Sequence, residues 1–99
     1  MKTATCEERI DDVLACRMYE FRKGELEGLS FDYVDPNTFE NQPEGYHRWQ
    51  ISWGGPSDEF RLYSDGTVYY HFMDWYDGAK RYINDNELIS HMFNMRSLY

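Results

Sequence analysis

Residues 48–83 read RWQISWGGPSDEFRLYSDGTVYYHFMDWYDGAKRYI, and the alternation within this stretch decides the fold. Trp49, Ile51 and Trp53 alternate with Arg48, Gln50 and Ser52, the two-residue period of a half-buried strand. Gly54-Gly55-Pro56-Ser57 turns the chain, and Glu59 to Tyr63 follows as a second strand with Phe60 and Leu62 facing inward. At Ser64-Asp65-Gly66 a two-residue loop would mix apolar and polar faces. A three-residue loop with Gly66 left-handed instead pairs Leu62 with Val68 and Phe60 with Tyr70, which keeps one face apolar. Thr67 to Tyr76 is the third strand, and Asp77-Gly78 has the chemistry of a tight hairpin. That turn predicts pairing of Phe72 with Ile83, Met73 with Tyr82 and Asp74 with Arg81, ending a fourth strand at Ile83.

Outward from the meander, Cys6 to Lys23 reads as an amphipathic helix. Thr5 and Glu8 have capping-box spacing, Cys6, Ile10, Val13, Leu14, Met18 and Phe21 share one stripe, and Gly24 stops the helix. A closing helix over about 85–98 starts near Asn84 or Asp85, with Asn84 and Glu87 in capping-box spacing and Leu88, Met92, Met95 and Tyr99 along its apolar stripe. Residues 24–46 read as a long acidic loop with turns at Asp35-Pro36-Asn37 and Gln42-Pro43-Glu44-Gly45, within which Ser30–Val34 could form a short edge strand. The expectation is one α+β domain over residues 1–99. It is a four-stranded antiparallel meander with an N-terminal and a C-terminal helix packed on one face, made of Trp49, Ile51, Trp53, Phe60, Leu62, Val68, Tyr70, Phe72 and Ile83.

Composition narrows the function classes. The chain has 99 residues, a net charge of −8 and an aromatic content of 18%. A surplus of carboxylates opposes direct binding to a phosphate backbone or an anionic membrane, and suits a basic partner. Residues 24–46 contain no Lys or Arg but carry Glu25, Glu27, Asp32, Asp35, Glu40 and Glu44. Ten residues along one helix separate Cys6 from Cys16 by roughly 15 Å, too far for a disulfide. With no apolar run after Met1-Lys2-Thr3-Ala4, a cytoplasmic protein with reduced thiols is expected.

Two regions are candidate sites. Successive hairpins alternate ends of a meander, so Asp58, Glu59, Asp74 and Asp77 should gather beside Trp53, Trp75 and Tyr76 at one end, with Arg81 nearby. The face away from the helices should carry Arg61 opposite Tyr69, Glu59 opposite His71 and Met73 opposite Tyr82, with Tyr63 adjacent. That is an interface composition which a partner, a second copy of the chain or the acidic loop would cover. The expected partner-binding set is therefore the six loop acids with Asp58, Tyr63, Tyr69, Asp74, Asp77 and Tyr82. No cofactor and no metal are expected, since His47, His71 and His91 lack ligand spacing. A catalytic alternative would use Glu59 and His71 as a base and its orienter.

The strings Trp53-Gly54-Gly55-Pro56-Ser57-Asp58-Glu59-Phe60-Arg61 and Asp74-Trp75-Tyr76-Asp77-Gly78-Ala79-Lys80 resemble those of small uncharacterised proteins carried by bacterial phages and plasmids. In size, acidity and missing catalytic signature the chain is also similar to anti-CRISPR proteins. This likeness implies an inhibitor that blocks a nucleic-acid-binding host defence protein, sometimes by imitating DNA charge. An immunity or antitoxin protein against a basic toxin is the alternative the same physics allows.

Overall fold

In the computed structural model, which describes residues 4–98, the order is α1 (Cys6–Arg22), β1 (Ser30–Val34), β2 (Tyr46–Ser52), β3 (Pro56–Tyr63), β4 (Val68–Asp74), β5 (Asp77–Ile83) and α2 (Asn86–Arg96). The five strands form one antiparallel sheet in sequential order. The expected count of four falls one short, because Ser30–Val34 pairs along β2 from Ser30 opposite Gln50 to Val34 opposite Tyr46. Phe31 and Val34 are buried, and this places the strand on the sheet. Within the supposed loop, only a connector after α1 and residues 35–45 are therefore outside regular structure.

Both helices contribute to one core against the same sheet face. Cys6 and Ile10 of α1 and Leu88 and Met92 of α2 join Phe31, Trp49, Ile51, Phe60, Leu62, Val68, Tyr70, Phe72 and Ile83. Thr5 and Glu8 form the capping box of α1. The cap of α2 is Asp85, which accepts from Leu88 N–H at 3.1 Å, so the Asn84–Glu87 spacing is not the capping pair. Tyr99 of the expected stripe lies outside the described residues. Cys6 is buried and Cys16 exposed, both as free thiols. Among the described residues no helix is long and apolar enough to cross a membrane.

Register agrees with the sequence at β3–β4, where Leu62 faces Val68 and Phe60 faces Tyr70 around a loop with Gly66 at φ 88°. It departs from it at two places. A bulge between Gln50 and Ser52 leaves Ile51 unmatched and sets Ser52 opposite Asp58. The extra residue turns the strand end outward, and Trp53, expected in the core, is 75% exposed. In the last hairpin the loop is Trp75-Tyr76, not Asp77-Gly78, so Asp74 faces Asp77 and Tyr70 faces Arg81. Every partner on β5 moves by four residues, an even shift, so the faces stay as expected. Asp77 accepts the Cys6 N–H at the start of α1 (2.8 Å) and Arg9 binds Asp74 (2.6 Å), which offsets the two facing carboxylates.

Candidate functional site

Because side chains alternate along a strand, Asp58 and Glu59 point to opposite faces. Asp58, 1% exposed, is on the helix side. It accepts from Arg17 Nε (2.7 Å) and Nη2 (3.2 Å), from Tyr70 OH (2.6 Å) and from Ser52 Oγ. The carboxylate raises the Arg17 pKa, and burial with the same hydrogen bond raises that of Tyr70. Asp58 is thus internal scaffolding, and its carboxylate is not presented to a partner as expected. Asp74 and Asp77 are likewise engaged within the chain, and Arg81 turns away from Asp74 to Glu7 (2.8 Å) and Asp11 (2.9 Å) on α1. The hairpin end is therefore aromatic more than acidic. Trp53, Trp75 and Tyr76 are 75%, 86% and 104% exposed there, and Trp53 and Trp75 flank a shallow hollow with Gly54, Gly55, Ser57 and Met73.

The open face is laid out in rows across the strands. One runs Val34, Tyr46, Tyr63; the next Asp32, Arg48, Arg61, Tyr69, Tyr82; the third Ser30, Gln50, Glu59, His71, Lys80. Tyr82 lies beside Tyr69 where the sequence reading set it beside Met73. The rings of Tyr46, Tyr63, Tyr69 and Tyr82 form a ladder with centroids 5.6, 6.0 and 5.6 Å apart. Arg48 is held by Asp32 through Nε and Nη2, while Arg61 binds Glu59 through Nε at 2.7 Å. His71 is pushed down to about 3 by burial, with Arg61 and Lys80 adding to it, so its imidazole is neutral at physiological pH. Glu59 and His71 face each other but share no hydrogen bond, so the expected base and orienter are not joined.

Residues 35–45 fold back over part of this face. The Gln42 side chain ties the segment together, accepting from Phe39 N–H (2.9 Å) and donating to the carbonyls of Asp35 (2.9 Å) and Glu44 (2.7 Å). Asn37 and Asn41 take the left-handed turns, a conformation this side chain tolerates. Phe39 to Glu44 thereby roof a hollow of about 760 Å³ floored by Tyr46, Arg61, Tyr63, Tyr69 and His71, with Trp53 at its mouth. The loop overhangs the face and leaves this concavity open, whereas the sequence reading allowed only full cover by loop or partner.

Of the loop acids, Asp32 sits on β1 and is paired with Arg48. Glu25, Glu27, Asp35, Glu40 and Glu44 are exposed and form no ion pair among the described residues. Tyr63 and Tyr69 are partly buried, and Tyr82 is exposed. The sequence reading missed Tyr46, although its phase with Arg48 and Gln50 places it on this face. Phe39 is legible in the sequence as an apolar anchor between the loop acids, but no local pattern reveals its place over the sheet. Among the described residues no group of three or more His, Cys, Asp or Glu is placed to hold a metal ion. No protein-family model, curated protein or solved structure matches the chain.

Proposed function

We propose that the chain is an acidic, protein-binding inhibitor of anti-CRISPR type, carried by a mobile element, that docks on a basic nucleic-acid-binding host protein and blocks its nucleic-acid surface. One observation carries the reading. Arg9, Arg17, Arg22, Arg48, Arg61 and Arg81 each hold a carboxylate of their own chain, yet among the described residues no cation pairs with the acids of the 35–45 segment, which lie beside exposed rings. Phe39, Glu40, Glu44 and Trp53 border the larger hollow, and Trp53 continues to Trp75 at the hairpin end. Unpaired carboxylates speed encounter with a positive surface, and large rings supply the desolvated anchors.

The test is a pull-down from nuclease-treated host lysate at low and high salt. A basic protein should be retained at low salt and lost with the combined changes Asp35→Lys, Glu40→Lys and Glu44→Lys, while Trp53→Ala with Trp75→Ala should release it at both salts. Retention that ignores the charge reversal rules out the reading.

A further inference from the structure

The floor of the hollow contains hydrogen-bonding groups that the chain does not use. Tyr46 is 1% exposed, and its hydroxyl is buried with no hydrogen-bond partner. The same holds for Nε2 of His71. Such groups are costly in a folded protein and are normally matched. Arg48 and Arg61 stand directly opposite each other, an arrangement that like charges resist. Asp32 grips Arg48 at two nitrogens, but Glu59 grips Arg61 only at Nε, and among the described residues both terminal nitrogens of Arg61 are without a partner. The Arg61 guanidinium lies over the Tyr46 ring, 4.6 Å from its centroid, and both residues line the hollow. Tyr63 and Tyr69 continue the floor, and Phe39 belongs to the roof. At about 760 Å³ the hollow falls within the roughly 300–1,000 Å³ usual for small-molecule sites.

We propose that this hollow binds a small aromatic carboxylic acid as its monoanion. The carboxylate accepts from the Arg61 terminal nitrogens and from the Tyr46 hydroxyl, and the ring rests on the tyrosine floor beneath Phe39. A guanidinium fork matches a carboxylate in shape. The cations of the lining, Arg48, Arg61 and Lys80, are all on the sheet, whereas of its carboxylates Glu59 alone is on the sheet and Glu40, Glu44 and Asp65 are on the loops, so an anion is best placed against the sheet. A dianion is disfavoured because Glu40 and Glu44 line the roof and Glu59 already holds one side of Arg61. The two readings share the roof residues Phe39, Glu40 and Glu44, but Arg61 and Tyr46, which carry the ligand contacts, are not varied in the docking test, so the two can fail separately.

The experiment is an NMR titration of the whole chain with sodium 2-naphthoate, and with 2-naphthylmethanol as the uncharged counterpart. Saturable shifts are expected at Tyr46, Tyr63, Tyr69 and Arg61, with a Kd below about 1 mM and at least about tenfold weaker binding of the alcohol. Tyr46→Phe keeps the ring and removes only the unmatched hydroxyl. It should leave the thermal midpoint unchanged or raise it, yet weaken naphthoate about fivefold or more. Arg61→Lys keeps a charge beside Glu59, removes the fork, and should weaken naphthoate comparably. Absence of saturation, shifts confined to other surfaces, equal binding of the alcohol, or full affinity in both variants would overturn the proposal.

Discussion

Asp58 and Glu59 are adjacent on β3 and almost equally buried, at 1% and 3% exposed, but they face opposite sides of the sheet. On the helix side Asp58 receives bonds from Arg17, Ser52 and Tyr70, and each of these donors comes from its own chain. Among the described residues, the one buried polar side-chain atom of that face without a partner is Asp74 Oδ1, whose sister oxygen is held by Arg9. On the open side Glu59 has a single arginine nitrogen, and the hydroxyl of Tyr46 and Nε2 of His71 lack any partner. The closed face is a polar network completed but for one carboxylate oxygen, and it fixes the position of α1. The open face is polar, concave and incomplete, and free energy remains to be gained there by a bound group.

That contrast can be broken most directly with isosteric amides. Asp58→Asn should cost about 3 kcal/mol, because it removes the buried counterion of Arg17 and leaves that charge only the more exposed Glu20. Glu59→Gln should cost nearer 1–2 kcal/mol, since Arg61 has fewer bonds to lose. Urea unfolding of both variants measures the difference, and equal losses would remove the distinction between the faces.

Acid titration is the next largest test. His71 titrates near 6.5 when unfolded and about 3 when folded, facing Glu59, Arg61 and Lys80. Above pH 6.5 it is neutral in both states and its contribution is fully present. As pH falls below 6.5 the unfolded chain takes up a proton that the folded chain refuses, so stability is lost, with a slope approaching about 1.4 kcal/mol per pH unit. His47, lowered by burial and by Arg96, acts in the same direction. The difference between the chain and its His71→Gln variant from pH 6.5 to 5 therefore isolates His71, and parallel curves would show that its burial is not coupled to folding.

The smallest effect is at the hairpin end. Trp75 has φ 58°, a left-handed conformation that disfavours a side chain of this bulk. Trp75→Gly should raise stability by about 0.5–1 kcal/mol while weakening partner retention. A loss of stability would mean that the exposed ring is packed after all.

Several features were legible because they depend on local periodicity. The alternation of Phe60, Leu62, Val68, Tyr70 and Phe72, the Gly66 loop and the Thr5–Glu8 cap require only neighbours in sequence, and all are present. The Asp77-Gly78 turn misled because its composition suits a hairpin loop, whereas the Asp77 carboxylate is held by the Cys6 N–H from 71 residues away. The Ile51 bulge and the outward swing of Trp53 have no local signature, since alternation by itself does not reveal an inserted residue.

From sequence alone followed an α+β chain with a meander, two helices on one face, a Tyr-rich opposite face and an excess of acid, because side-chain period and net charge are properties of the chain itself. Only the tertiary structure decided which carboxylates are engaged and which remain free. Ion pairing joins groups as distant in sequence as Arg17 and Asp58 or Arg81 and Asp11, and no local rule chooses among eighteen acids. The hollow beneath residues 39–44 has the same origin: it exists because a self-bonded loop stops short of closing over the sheet.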